Sequence, residues 1–160
     1  CQDNHGRETI VSLIPSQLSP GMHPVGSLGF DSRGAILLTN NGDLTLRLTH
    51  SKYFHRKKYL VWIIRQPSQS ILDNWRRGIL HDGKMTIPAR IEVSEKAHHK
   101  SLLKVILKEG PNRQIRRIAN IIGHPVQYLQ RISISNIKSN VLQERYWREL
   151  KTNEWISIFN

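Results

Sequence analysis

Residues 25–42 read VGSLGFDSRGAILLTNNG. A short extended piece, 25–28, enters a turn at Gly29-Phe30-Asp31-Ser32-Arg33-Gly34. A dense apolar run, Ala35-Ile36-Leu37-Leu38-Thr39, follows and stops at Asn40-Asn41-Gly42. Apolar runs this short, each closed by turn residues, predict buried strands rather than helices. Asn-Gly marks the end because both residues tolerate positive φ. A loop held between two buried strands can present a reactive side chain on a rigid frame.

Working outward, residues 8–14 predict one or two helical turns stopped by Pro15, and 15–24, rich in Ser and Pro, a connecting loop. Lys57 to Arg65, KKYLVWIIR, is β-branched and aromatic between polar ends and predicts a strand. Ser68 is placed to cap a helix carrying Ile71, Leu72, Trp75 and Ile79, with Gly78 near its end. Met85 to Glu95 alternates as a half-buried strand, 96–100 forms a hairpin turn, and Ser101 to Lys108 pairs back. Arg113 to Ile122 is an amphipathic helix with Gly123 as its stop. Val126 to Ile134 returns as a strand, and Trp155 to Phe159 reads as an edge strand. This pattern predicts an α+β fold, a mixed and mostly antiparallel sheet with flanking helices, in one domain spanning 1–160.

The composition narrows the function. Among 160 residues, 24 are Lys or Arg and 12 are Asp or Glu, a net charge of +12. Such a balance favours polyanions, nucleic acid first. No apolar run approaches the roughly 18 residues of a membrane span. Cys1 is the only cysteine, so internal disulfides and cysteine-based metal sites are excluded. The eight histidines show no metal-binding spacing, and no phosphate-binding or dinucleotide glycine fingerprint is present. No metal and no cofactor are expected.

Two further stretches carry chemistry. Glu109 to Arg117, EGPNRQIRR, opens a helix with Arg113, Arg116 and Arg117 in its first turns. Guanidinium groups at a helix start suit phosphate or carboxylate; alternatively they form a solvated basic face. Lys57-Lys58-Tyr59 places an aromatic ring beside cations, as base stacking with phosphate contact requires; the plain alternative is a sheet tyrosine.

Taken together and in order, these stretches resemble the RsuA-type bacterial rRNA pseudouridine synthases. The matches are Gly26, Leu28, Asp31-Ser32, Gly34, Leu37-Leu38-Thr39-Asn40 and Gly42, then Lys57 and Tyr59, then Asn112-Arg113-Gln114-Ile115-Arg116-Arg117, then Leu129 to Arg131. The resemblance covers about Arg7 to about Arg148. It implies a short helix over 43–50, for which Asp43 is a candidate cap. It also implies conversion of a chosen uridine in ribosomal RNA to pseudouridine, without metal or cofactor, on a base turned out of its stack. Within that resemblance Tyr59 stacks on the base and Arg116 pairs with the nucleophilic Asp. Ser27, Lys57, Arg113, Arg117 and Arg131 fall at RNA-binding positions.

The departures lie at the same site. The nucleophilic Asp position is Gly29, an Arg position is Ser27, and the Arg after Glu-Gly is Pro111. In an extended loop Asp31 lies about 6 to 7 Å from position 29, too far to substitute in a step that needs an anion within about 3 Å of the reacting carbon. Arg116 is then expected to turn to solvent or RNA. The resemblance also places an opening strand and a small RNA-binding domain before Cys1, so the chain is expected to be N-terminally truncated. Ribosomal RNA is the expected partner, with no membrane and no obligate protein partner, for a cytoplasmic monomer. The alternatives are a non-catalytic RNA-binding or ribosome-assembly protein on the same fold, and a basic protein-interaction domain.

Overall fold

The computed structural model describes residues 8–50, 53, 55–108, 113–139 and 142–160. Its centre is a six-stranded sheet built on three long strands: β4 (Lys57–Ile64), β8 (Lys100–Leu107) and β9 (Val126–Ile134). β4 lies between the other two and pairs antiparallel with both. β7 (Arg90–Lys96) closes one side against β8, and β10 (Ile137–Lys138) the other against β9. The two-residue β2 (Arg33–Gly34) runs parallel to β9, opposite Gln130 and Arg131. The sheet is therefore mixed and mostly antiparallel, as the alternating patterns predict.

Two helices cover this sheet. α2 (Gln69–Arg77) starts at Ser68, whose hydroxyl accepts from the Ile71 N–H at 3.3 Å. α3 (Gln114–Ile121) ends before Gly123, which takes the left-handed φ of +79°. Leu72 and Trp75 of α2, with Ile115, Ile118 and Ala119 of α3, bury against Val61, Ile63, Leu103, Val105 and Leu129 of the strands. A second core joins Val25 and Leu37 to Leu44 and Leu48 of α1 (Gly42–Thr49), and to Ile134, Ile137 and Ile158. The 25–42 stretch thus belongs to the second core through Val25 and Leu37.

Several expectations change in detail. The 25–42 stretch holds almost no regular strand: besides β2, only Leu38–Thr39 (β3) pairs, with His23–Pro24 (β1) as a two-stranded ladder. Glycines at positive φ, Gly26 at +73° and Gly34 at +112°, bend the run, although Val25 and Leu37 still bury. α1 is capped by Asn41 rather than Asp43; its Oδ1 accepts from Asp43 and Leu44 N–H at 2.9 and 3.2 Å. The Met85 to Glu95 strand is split. Lys84–Met85 (β6) pairs with Leu80–His81 (β5), and β7 begins only after Pro88, which has no N–H for a ladder. Trp155 to Phe159 is no strand: α4 (Thr152–Ile156) forms there, started by Glu154, whose carboxylate accepts the Lys151 N–H at 2.8 Å.

Gly34 is required by its neighbour. A Cβ there would overlap the Arg131 backbone, so only glycine allows β2 this close to β9.

Candidate functional site

The turn after Leu28 decides the site's geometry. The Ser32 N–H bonds to the Gly29 carbonyl at 2.8 Å, closing residues 29–32 into a tight turn rather than an extended loop. Asp31 is thereby folded back. A Cβ built on Gly29 would lie 2.9 Å from Asp31 Oδ1 and 2.9 Å from Arg113 Nη1. The expectation that Asp31 stays well away from position 29 is corrected: the turn brings its carboxylate against the space that a side chain at 29 would fill.

That carboxylate is fully engaged. Arg113 Nη1 and Nη2 donate to Asp31 Oδ1 and Oδ2, each at 2.9 Å, in the bidentate geometry that suits a guanidinium. Arg116 Nη2 donates to the Asp31 carbonyl at 2.7 Å and to Ser32 Oγ at 3.1 Å, and its Nε lies 3.4 Å from Oδ2. The Arg113 hydrogen bonds lower the Asp31 pKa to about 2; partial burial opposes this, and the Arg116 charge adds to it. Asp31 is therefore a carboxylate across the physiological range. Arg116 does not turn to solvent, because Asp31 supplies the counter-charge.

Arg113 makes this contact from an unusual backbone. It stands at the N-cap of α3 with φ +63°, outside the helix, rather than in its first turn. Arg113 and Arg116 therefore converge, while Arg117 is exposed and faces elsewhere than the cavity. The Pro111 position lies outside the described residues.

Beside this cluster opens a cavity of about 590 Å³, bounded by residues 26–32, the end of α1, strands β4 and β9 and the start of α3. Gly29, Ser27, Lys57, Tyr59, Arg113, Arg116 and Arg131 all line it, so seven of the eight candidate residues meet in one place. Tyr59 is half-buried against the main core, at an irregularity between Lys58 and Tyr59 that lets it face Arg131 across the ladder. Arg131 is only 3% exposed. Its Nε donates to the Ala35 carbonyl at 2.7 Å and its Nη1 to the Ser27 carbonyl at 3.3 Å. The expected RNA contact is thus first a clamp on the 25–42 stretch. Gln114, matched in the motif but given no role by the sequence reading, is 4% exposed and also lines the cavity. Its signal was its place between Arg113 and Arg116 on a helix start. Among the described residues no group of three or more His, Cys, Asp or Glu side chains is arranged to hold a metal ion. No described helix is long and apolar enough to cross a membrane.

The RNA pseudouridylate synthase family profile matches residues 2–120. The chain belongs to this family. Ribosomal large subunit pseudouridine synthase B of Bacillus subtilis (strain 168) is 33% identical over 156 residues, covering 96% of this chain and 63% of that protein. The dual-specificity RNA pseudouridine synthase RluF of Escherichia coli (strain K12) is 31% identical over 153 residues, covering 96% of this chain and 51% of that protein. A crystal structure of a pseudouridylate synthase superposes with a TM-score of 0.86 at 27% identity, over 94% of this chain and 65% of that one. The chain thus spans between half and two thirds of these relatives. In this member of the family the cavity has an aromatic ring and cations, but no side chain at position 29.

Proposed function

We propose that the chain is a ribosomal-RNA-binding pseudouridine synthase domain that receives a uridine turned out of its stack, and in which isomerisation is lost or strongly impaired. In this reading Tyr59 lies against the base, Lys57 and Arg113 meet phosphate at the cavity, and Arg117 meets it outside the cavity. The family match and the net charge of +12 support the substrate class. In this reading the domain acts in the cytoplasm as a monomer, without metal or cofactor.

One observation carries the impairment. The carboxylate nearest position 29 belongs to Asp31, and both its oxygens are bound by Arg113. A nucleophile has to aim a lone pair at the reacting carbon from about 3 Å. A bidentate guanidinium holds those lone pairs in its own plane, so attack by Asp31 first requires the pair to break. Ser27 removes a second charge that the resemblance places at the same site. These two changes in one loop also favour the second reading, a non-catalytic RNA-binding or assembly protein on this fold.

Binding to unmodified ribosomal RNA across a salt series tests the substrate class. With three or four phosphate contacts, log K should fall with log salt at a slope of about −2 to −3. Weak binding that salt does not change would instead favour a protein-interaction domain.

A further inference from the structure

We propose that the outer face of the sheet, the side turned away from α2 and α3, is a second RNA-contact surface. It is a stacking platform for the single-stranded RNA next to the nucleotide in the cavity. It rests on the RNA reading above and adds a surface to it.

Successive side chains of a strand point to opposite faces. One set, Val61, Ile63, Leu103, Val105 and Leu129, buries under the helices. The other set is Leu60 and Trp62 of β4, Leu102 and Lys104 of β8, and Tyr128 and Gln130 of β9, all half-buried. Among the described residues, neither core includes any of these. Register groups them in rows. Trp62 stands opposite Leu102 on one side and Tyr128 on the other, and Leu60 stands opposite Lys104 and Gln130. The Tyr128 hydroxyl donates to Gln130 Oε1 at 3.3 Å along the same face. Two aromatic rings are thus cross-strand neighbours on the central strand and β9.

The charges around those rings are mostly positive. Lys58, Lys100, Lys104 and Arg33 surround them, while Glu92 and Glu95 lie on β7 at the far edge. Glu92 is already paired with Arg90 at 3.0 Å. Two cations sit on the rings: Lys100 Nζ is 4.4 Å from the Trp62 ring centroid, and Arg33 Cζ is 6.0 Å from that of Tyr128. A cation over a solvent-facing ring is held weakly. The Arg33 pair with Glu144 joins two side chains that are both more than half exposed, so it is weak as well. A base can replace each cation on its ring, and the cation then meets the adjoining phosphate. Every base has a π-face, and rings interleaved with cations suit single-stranded RNA whatever its sequence. The centres of protein interfaces are depleted of lysine, so Lys104 in the middle of this face argues against a protein partner.

The face is continuous with the cavity. Within one turn, Gly29 and Ser32 line the cavity and Arg33 reaches Tyr128. Phe30, in the same turn and 90% exposed, adds a third ring. Across β2, Arg131 lines the cavity and its neighbour Gln130 belongs to the outer face. RNA leaving the cavity over residues 29–34 therefore arrives at Tyr128 first and at Trp62 next.

The test uses the full chain and two single-stranded RNA oligomers centred on one uridine, about 4 and about 15 nucleotides long, bound across a salt series. The long oligomer should bind about tenfold more tightly or better. Lys100→Gln with Lys104→Gln should lower the salt slope of the long oligomer by about 1 and leave the short one unchanged. Trp62→Ala with Tyr128→Ala should weaken the long oligomer by about tenfold or more, again sparing the short one. Equal binding of the two oligomers by the unaltered chain, with a steep salt slope, overturns the proposal and leaves the RNA reading standing. A slope that the lysine variant does not change overturns it as well. Weak, salt-independent binding of both oligomers overturns both readings. Dimers that Trp62→Arg abolishes, with RNA binding indifferent to the lysine variant, would overturn it and give the face to a second copy of the chain. Neither lysine belongs to a core, so the lysine variant decides even where the ring variant fails to fold.

Discussion

Asp31 supplies the counter-charge to Arg113 and Arg116 beside position 29, where Gly29 has no side chain. Its pKa falls from 3.8 to about 2 because Arg113 bonds to both its oxygens. A carboxylate depressed on folding stabilises the fold above its unfolded pKa, here about pH 4, and that stability is lost as pH falls through 2. Asp31 is about a third exposed, so solvent screening reduces the gain. Asp31→Asn should lower stability by about 1 kcal/mol at pH 7, with the difference shrinking below pH 4; urea unfolding at pH 7 and pH 3 checks this. Sequence could show that position 29 is empty. It could not show that Asp31 fills the gap, because its partner lies 82 residues away and the turn that delivers it is set by one backbone hydrogen bond.

At the scale of elements, the 25–42 stretch is held by β9 rather than by strands of its own. Gly34 approaches the Arg131 backbone, and the Arg131 guanidinium ties down the Ala35 and Ser27 carbonyls. Gly34→Ala should cost about 2 kcal/mol or more, from positive φ and overlap together. Arg131→Ala should cost about 3 kcal/mol, because it strands two carbonyls and leaves a void. Thermal unfolding measures both, and a near-neutral result for either would remove β9 as the anchor. The long strands and α2 were legible because alternation and caps are local: Val61, Ile63, Leu103 and Val105 are all fully buried, and Ser68 caps as its type predicts. The 155–159 segment was misread for the opposite reason. Its short run of large apolar residues suits a strand, but the Glu154 cap and its pair with Arg148 at 2.8 Å start a helix.

At the scale of the whole molecule, a basic chain with few carboxylates puts two of them into bidentate arginine pairs. Glu154 is held near pKa 2, first by Arg148 and then by the Lys151 N–H, as Asp31 is by Arg113. Both pKa values are depressed, so acid unfolding should steepen from about pH 4.5 down to 2, and Glu154→Gln should flatten that limb while costing about 1 kcal/mol at pH 7. Circular dichroism across pH follows it. The same scaffold holds a cavity with an aromatic ring and cations around Gly29, the position that the family resemblance assigns to the nucleophile. A Cβ at position 29 meets only the flexible ends of Arg113 and Asp31, with Ser32 Oγ at 3.5 Å, so a carboxylate can be rebuilt there. The most direct measurement incubates unmodified ribosomal RNA with the unaltered chain, with Gly29→Asp, and with Gly29→Asp plus Ser27→Arg, and maps pseudouridine at single-nucleotide resolution. The account predicts that the unaltered chain is silent and that a rebuilt variant modifies one site. Pseudouridine formed by the unaltered chain would contradict it and make Asp31 the nucleophile.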